Sequence, residues 1–262
     1  SVAARVAGGA ADRPRPAAAR RDTRRRTTGT LAKGGARPRR SPPATAQALE
    51  GRVPELMIAG VATAAELAPL LVDKRVVLIG PGLPDGELGT ALLTATLAAT
   101  AAARQTLVLD ADALNHLARQ PALWRDRQGA PVVMTPHPGE AARLLDTTTV
   151  EINANRIASA CELARRFSCI VVLKGARTVI ADERGRIAVN LSGNPALATG
   201  GTGDVLAGLA AGLLAQGDDP FLAVSRAVHL HGAAGDHVAR QRGNSLLASD
   251  LLDAVSAILA PA

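Results

Sequence analysis

Ile170-Val171-Val172-Leu173-Lys174 decides the fold: four consecutive apolar residues, three of them β-branched, end abruptly in a lysine and then in Gly175. A strand with one wet face alternates apolar and polar residues. This one does not, so it reads as a strand covered on both faces, the mark of a parallel sheet between helices. The same kind of text stands at residues 76–80 (VVLIG), 106–110 (TLVLD) and 131–135 (PVVMT). Helical patterns lie between and after these runs, at residues 87–103, 113–119, 138–145 and 152–167. Residues 178–181 and 187–191 flank Asp182-Glu183-Arg184-Gly185, whose glycine turn predicts a hairpin. The C-terminal third reads as helix over 202–216, 221–241 and 247–259. Alternating strand and helix, closed by a helical block, predicts an α/β domain with a mostly parallel central sheet flanked by helices.

The whole chain has 262 residues, 47% hydrophobic and 20% charged, enough for one large or two small globular domains. No apolar run reaches the roughly 18 residues of a membrane span, so a soluble protein without a membrane partner is expected. Cys161 and Cys169 are the two cysteines and have no CxxC spacing, which argues against a disulfide scaffold or a structural zinc and for a reducing, cytoplasmic setting.

The charge is concentrated at one end. Residues 1–46 hold twelve Arg and Lys against Asp12 and Asp22, while the remainder, with 18 basic and 21 acidic residues, is mildly acidic. This opening is rich in Ala, Arg, Pro, Gly and Thr and nearly devoid of Leu, Ile and aromatic residues, so a disordered basic tail is expected, with the folded domain over 47–262. Such a tail would bind nucleic acid only non-specifically and in a salt-dependent way, or serve no role beyond solvation.

In an α/β sheet, ligands bind beyond the carboxyl ends of the strands. Those ends carry Gly80-Pro81-Gly82, Asp110-Ala111-Asp112, Thr135-Pro136-His137-Pro138-Gly139-Glu140 and Lys174-Gly175-Ala176-Arg177-Thr178, with Gly200-Gly201-Thr202-Gly203-Asp204 later in the chain. A hydrophobic core has no use for this set, because its charged groups are costly to bury alone. The last run leads into the apolar helix at 202–216. Glycines before a helix start offer unpaired N–H donors and the positive end of the dipole to an anion, so it reads as a phosphate cradle. Asp204, in the first turn, is a base for a substrate hydroxyl or merely a helix cap. Lys174 and Arg177 can neutralise phosphate or lie in a solvated turn. His137 and Glu140 share a face, where they hold a substrate or a metal-bound water, or simply finish a helix start. Asp110 and Asp112 point the same way, with a structural role favoured. Asn115 and His116 are expected on a helix surface. His229 and His231, two apart on a helix, do not form a metal site.

From roughly Ala48 to Leu259 these motifs resemble, in order, the ADP/ATP-dependent NAD(P)H-hydrate dehydratases of the ribokinase-like superfamily, with Ser192-Gly193-Asn194-Pro195 as a further match. The resemblance implies a ribokinase-like fold and repair of NADHX or NADPHX: ADP or ATP phosphorylates the ring hydroxyl, and phosphate elimination restores the reduced cofactor. It further implies Asp204 as the catalytic base and Gly201, Thr202 and Gly203 as an anion hole. Lys174, Gly175, Ala176, Arg177, Thr178 and Gly203 would bind the nucleotide; Gly82, His137 and Asp204 would bind the substrate. Glu140 would organise Mg2+ through water, and the family's habit implies a homo-oligomer such as a tetramer.

Two departures accompany the match. Pro84 replaces a glycine of the family's Gly-Pro-Gly-Leu-Gly, and residues 1–46 do not match the family's opening, so its first strand or strands are expected to be missing. The abrupt change of composition points to a shifted reading frame or misplaced start. Two other readings compete: a small-molecule kinase of the same fold, hydroxyethylthiazole-kinase-like, and an inactive nucleotide or nucleic-acid binder.

Overall fold

The computed structural model of the chain describes residues 30–32, 37–41, 56–124 and 130–260. Among these described residues nine strands form one sheet: β1 (Thr30–Ala32), β2 (Arg37–Ser41), β3 (Leu56–Gly60), β4 (Val76–Ile79), β5 (Thr106–Leu109), β6 (Val132–Met134), β7 (Ile170–Leu173), β8 (Val179–Ala181) and β9 (Ile187–Val189), in spatial order β3-β2-β1-β4-β5-β6-β7-β8-β9. The four runs read from the sequence are β4 to β7, side by side and parallel, with Val77 opposite Leu107, Leu109 opposite Met134 and Met134 opposite Val171. Two antiparallel turns carry the chain from β7 through β8 to β9, the latter pair being the expected hairpin.

Because side chains alternate across a strand, each central strand feeds two cores. Val77, Ile79, Leu107, Leu109, Met134 and Leu173 face one way, against α1 (Ala64–Leu71), α2 (Glu87–Ala102), α3 (Asp112–Arg119), α4 (Pro138–Leu145), α5 (Thr149–Ala154) and α6 (Arg156–Arg166). Val76, Leu78, Val108, Val133 and Val172 face the other way, against α7 (Thr202–Leu214) and α8 (Pro220–Arg242). A third apolar cluster joins α7 and α8 to α9 (Asp250–Leu259) through Leu209, Val238, Leu251 and Val255. Leu107, Val108 and Leu109 are fully buried, and a leucine so placed contributes about 1.5–3 kcal/mol.

The expected α/β class is the observed one, but the expectation that its opening strands are missing is corrected: three strands precede β4. Ala32, Leu31 and Thr30 pair antiparallel with Val76, Val77 and Leu78, and β2 runs parallel to β3. The free edge of β4 presents unpaired N–H and C=O groups, and a neighbouring strand satisfies them whatever its side-chain propensity. Two of these strands lie within the stretch for which composition predicts disorder; the rest of residues 1–46, with the nucleic-acid reading of its charge, lies outside the described residues. The helical pattern over 152–167 is also divided. Asn155, at φ −131 and ψ 49, separates α5 from α6.

Candidate active site

At the carboxyl end of β5, Asp110 is 1% exposed, and at the end of β7, Lys174 reaches back across β6 to it, Nζ to Oδ1 2.6 Å. Glu140, in the first turn of α4 directly after β6, places Oε2 at 3.7 Å from the same nitrogen. Burial works against the charge on Lys174, but Asp110, Glu140 and Asp204 together outweigh it and hold the ammonium above its ordinary pKa. Asp204 therefore belongs to the same electrostatic cluster as the lysine. The glycine cradle does too, because a Cβ on Gly203 would stand 3.7 Å from Lys174 Nζ.

The backbone explains the convergence. Gly80 has φ +138, and a Cβ there would fall 1.7 Å from the carbonyl oxygen of Asp110, so only glycine lets the β4 loop lie on the end of β5. Gly82, buried in the same loop, is the third residue of a tight turn, at φ +76, in which the Leu83 N–H donates to the Gly80 carbonyl at 2.9 Å. Gly201 precedes α7 at φ +92 and puts no side-chain cap on the helix start, which leaves the positive end of a 13-residue helix open to an anion. Thr202 is buried: its Oγ1 lies 2.7 and 2.8 Å from the Leu197 and Thr199 carbonyls, which share its one proton, and its N–H donates to the Thr199 carbonyl at 3.3 Å, so this amide of the expected anion hole is already engaged, whereas Gly203 and Asp204 are partly exposed at the mouth.

His137 and Glu140 close a capping box. The ring Nδ1 accepts the Gly139 and Glu140 N–H groups at 2.9 and 3.3 Å, and Glu140 Oε2 accepts the His137 N–H at 2.7 Å. Nδ1 is thus an acceptor and the neutral ring carries its proton on Nε2, 3.4 Å from Glu140 Oε1. Burial lowers the His137 pKa against the pull of Glu140, so the ring can offer a neutral N–H to a substrate oxygen.

Gly175, Ala176 and Arg177 stand exposed in the turn after β7, and Thr178 Oγ1 donates to the Gly175 carbonyl at 3.0 Å. Only Lys174 of that run turns inward to the cluster. Asp110, for which the sequence favours a structural role, is the lysine's partner because of strand order, which pairwise spacing does not reveal. Arg156, unremarked inside a continuous helix, is freed by the break at Asn155 and donates to the Leu173 and Lys174 carbonyls at 2.8 and 3.2 Å, holding the end of β7. His116 is not on a surface: it is 1% exposed, with Nε2 at 3.0 Å from the Pro84 carbonyl and Nδ1 at 3.2 Å from Thr90 Oγ1. Gly89 leaves the space, since a Cβ there would lie 1.8 Å from that carbonyl. His231 is buried and His229 exposed, and among the described residues no group of three or more His, Cys, Asp or Glu could hold a metal ion. Among the same residues no helix is long and apolar enough to cross a membrane.

A family model described as NAD(P)H-hydrate dehydratase matches residues 41–257. A bifunctional NAD(P)H-hydrate repair enzyme of Moorella thermoacetica is 44% identical over 205 residues, covering 77% of this chain and 38% of that protein. An ADP-dependent (S)-NAD(P)H-hydrate dehydratase of Neisseria meningitidis is 40% identical over 185 residues, 70% of this chain and 62% of its own. The chain thus spans less than two thirds of these relatives' length. Among solved structures, the ADP/ATP-dependent NAD(P)H-hydrate dehydratase of Bacillus subtilis co-crystallised with ATP/Mg2+ superposes with TM-score 0.69 at 34% identity, over 82% of this chain and 74% of that one. A hydroxyethylthiazole kinase of Pyrococcus horikoshii, at 22% identity, TM-score 0.58, 81% of this chain and 82% of its own, shares the fold.

Proposed function

The chain belongs to the NAD(P)H-hydrate dehydratase family, and from that premise we propose that it restores NADH or NADPH from the (6S)-hydrates at the expense of ADP or ATP. The observation that carries this reading is the meeting of Asp204, at the uncapped start of α7, with Lys174 and the Gly203 backbone.

In this reading Asp204 accepts the proton of the ring hydroxyl as the hydroxyl oxygen attacks the terminal phosphorus and AMP leaves from ADP, or ADP from ATP, while the amides of Gly201 and Gly203 stabilise the transferring group. Cleavage of the carbon–oxygen bond to release inorganic phosphate, with loss of a proton from the neighbouring ring carbon, then regenerates the dihydronicotinamide. Gly82 lets the backbone approach the hydrated ring, and the His137 Nε2–H donates to an oxygen of the same substrate. Lys174, with Gly175, Ala176, Arg177, Thr178 and Gly203, binds the nucleotide.

The donor set suits magnesium. Glu140 supplies hard carboxylate oxygens of the kind magnesium takes, while Asp110 is already engaged by Lys174, so an incoming polyphosphate meets one paired ammonium and needs further neutralisation. Magnesium arriving with the nucleotide and held through water by Glu140 would supply that neutralisation. A homo-oligomer is part of the same reading and is checked by light scattering of the eluting protein; β9 ends the sheet among the described residues, with Ile187 and Val189 47% and 41% exposed.

The deciding experiment incubates the protein with NADHX, Mg2+ and ADP or ATP and follows the return of the dihydronicotinamide absorbance. Recovery with either nucleotide supports the reading. Phosphorylation of hydroxyethylthiazole with no recovery from NADHX would replace it with the kinase alternative.

A further inference from the structure

The segment His229-Leu230-His231-Gly232-Ala233-Ala234-Gly235-Asp236 has no part in the chemistry above, yet the middle of α8 is shaped to the loop that leads into α7. Positions 229, 232, 235 and 236 share one face of the helix. On that face Ser192 Oγ donates to the His229 carbonyl at 3.0 Å. A Cβ on Gly232 would stand 2.2 Å from Ser192 Oγ, and one on Gly235 would stand 2.7 Å from Leu197 Cγ. Each glycine costs the helix about 1 kcal/mol of intrinsic propensity, and here each makes room for the loop.

The loop is then gripped at both ends. Asp236 Oδ2 accepts the Gly193 N–H at 2.8 Å and Oδ1 accepts Asn194 Nδ2 at 2.9 Å, while Asn194 Oδ1 accepts the Ala196 N–H at 3.0 Å. At the far end His231 is 9% exposed, with Nε2 at 2.9 Å from the Thr202 carbonyl. Burial pushes its pKa down to about 4, so the ring is neutral near pH 7 and donates this hydrogen bond. The Thr202 hydroxyl in turn closes the loop on Leu197 and Thr199.

We infer that Asp236 and His231 are positioning residues for the phosphate cradle: through Gly193, Asn194 and Thr202 they fix where the amides of residues 201–203 and the Asp204 carboxylate stand. What the cradle binds rests on the dehydratase reading; the grip itself does not. A staple that only stabilised the fold would leave turnover per folded molecule untouched. A staple that aims the cradle acts on the rate, because a displacement of about 1 Å at reacting groups is worth on the order of a hundredfold.

The test compares wild type with Asp236→Asn, which sets an amide donor against donors, and with the pair His231→Leu and His231→Gln, of which only Gln keeps an N–H for Thr202. Expected are a kcat lower by on the order of tenfold to a hundredfold in Asp236→Asn and His231→Leu, with a smaller change in the nucleotide KM, and recovery of most of it in His231→Gln. Hydrogen exchange of amides 192–204 should quicken in the first two variants and stay near wild type in the third, with strand amides 106–109 unchanged in all. Unaltered exchange at 192–204 in both disrupting variants, or wild-type kcat in both, overturns the inference. An inactive wild type would overturn the dehydratase reading instead, and the exchange comparison would still decide the grip. Should Asp236→Asn fail to fold, the two His231 variants decide alone.

Discussion

Lys174→Met is the most informative single perturbation of the strand-end cluster. The side chains of Lys174, Asp110 and Glu140 are 19%, 2% and 5% exposed, and the ammonium lies 2.6 Å from one carboxylate and 3.7 Å from the other. Methionine keeps the length of the stem and removes the charge. Two nearly sealed carboxylates then face each other without the cation between them, a change that costs about 3–5 kcal/mol. For a domain of this size that lowers Tm by roughly 6–20 °C. Urea denaturation followed by circular dichroism at pH 7 measures the first figure and a thermal scan the second. Adding Asp110→Asn to Lys174→Met should recover part of the loss, since one stranded charge is gone, and the double-mutant cycle should return a coupling above about 1 kcal/mol. The sign with pH follows from the raised pKa of the lysine: its contribution is complete below the ordinary lysine value of about 10.4 and disappears as pH climbs through the higher folded-state value. A Lys174→Met variant within about 0.5 kcal/mol of wild type at pH 7 would refute the claim that this ion pair organises the strand ends.

His231 supplies a prediction of opposite sense. Its folded-state pKa of about 4 lies below the ordinary 6.5, so as pH falls between those values the unfolded chain takes up a proton that the folded chain refuses. Wild type should lose roughly 3 kcal/mol more than His231→Gln between pH 7 and about pH 4, read from urea midpoints at the two pH values; equal losses contradict it. Two glycines of the site should behave differently. Gly80→Ala drives a Cβ into the Asp110 carbonyl at 1.7 Å and should leave little folded protein by circular dichroism. Gly203→Ala meets only the tip of Lys174 at 3.7 Å, so it should fold within about 1 kcal/mol of wild type and lose nucleotide affinity by calorimetry.

What the sequence could say depended on how local the cause was. The strands 76–79, 106–109, 132–134 and 170–173 are legible because burial on both faces demands an unbroken apolar run, and α4 because Pro138 and Glu140 are start signals in the chain itself. The strands at 30–32 and 37–41 are not legible, because backbone pairing places them, the first on the edge of β4 and the second between the first and β3, and no apolar run announces either. The uncapped start of α7 is legible from Gly201 and Gly203, since a helix start is a local feature. The Asp110–Lys174 pair spans 64 residues and depends on which strands become neighbours, so neither residue announces the other. His116 is buried against the Pro84 carbonyl in space that Gly89 leaves, a fact of packing between the loop after β4 and two helices.

The account stands on Asp204 as the group that takes the hydroxyl proton, and Asp204→Asn tests it most directly. With NADHX, Mg2+ and nucleotide, turnover should fall by on the order of a hundredfold or more while nucleotide binding by calorimetry stays near wild type. Wild-type turnover in that variant would contradict the account.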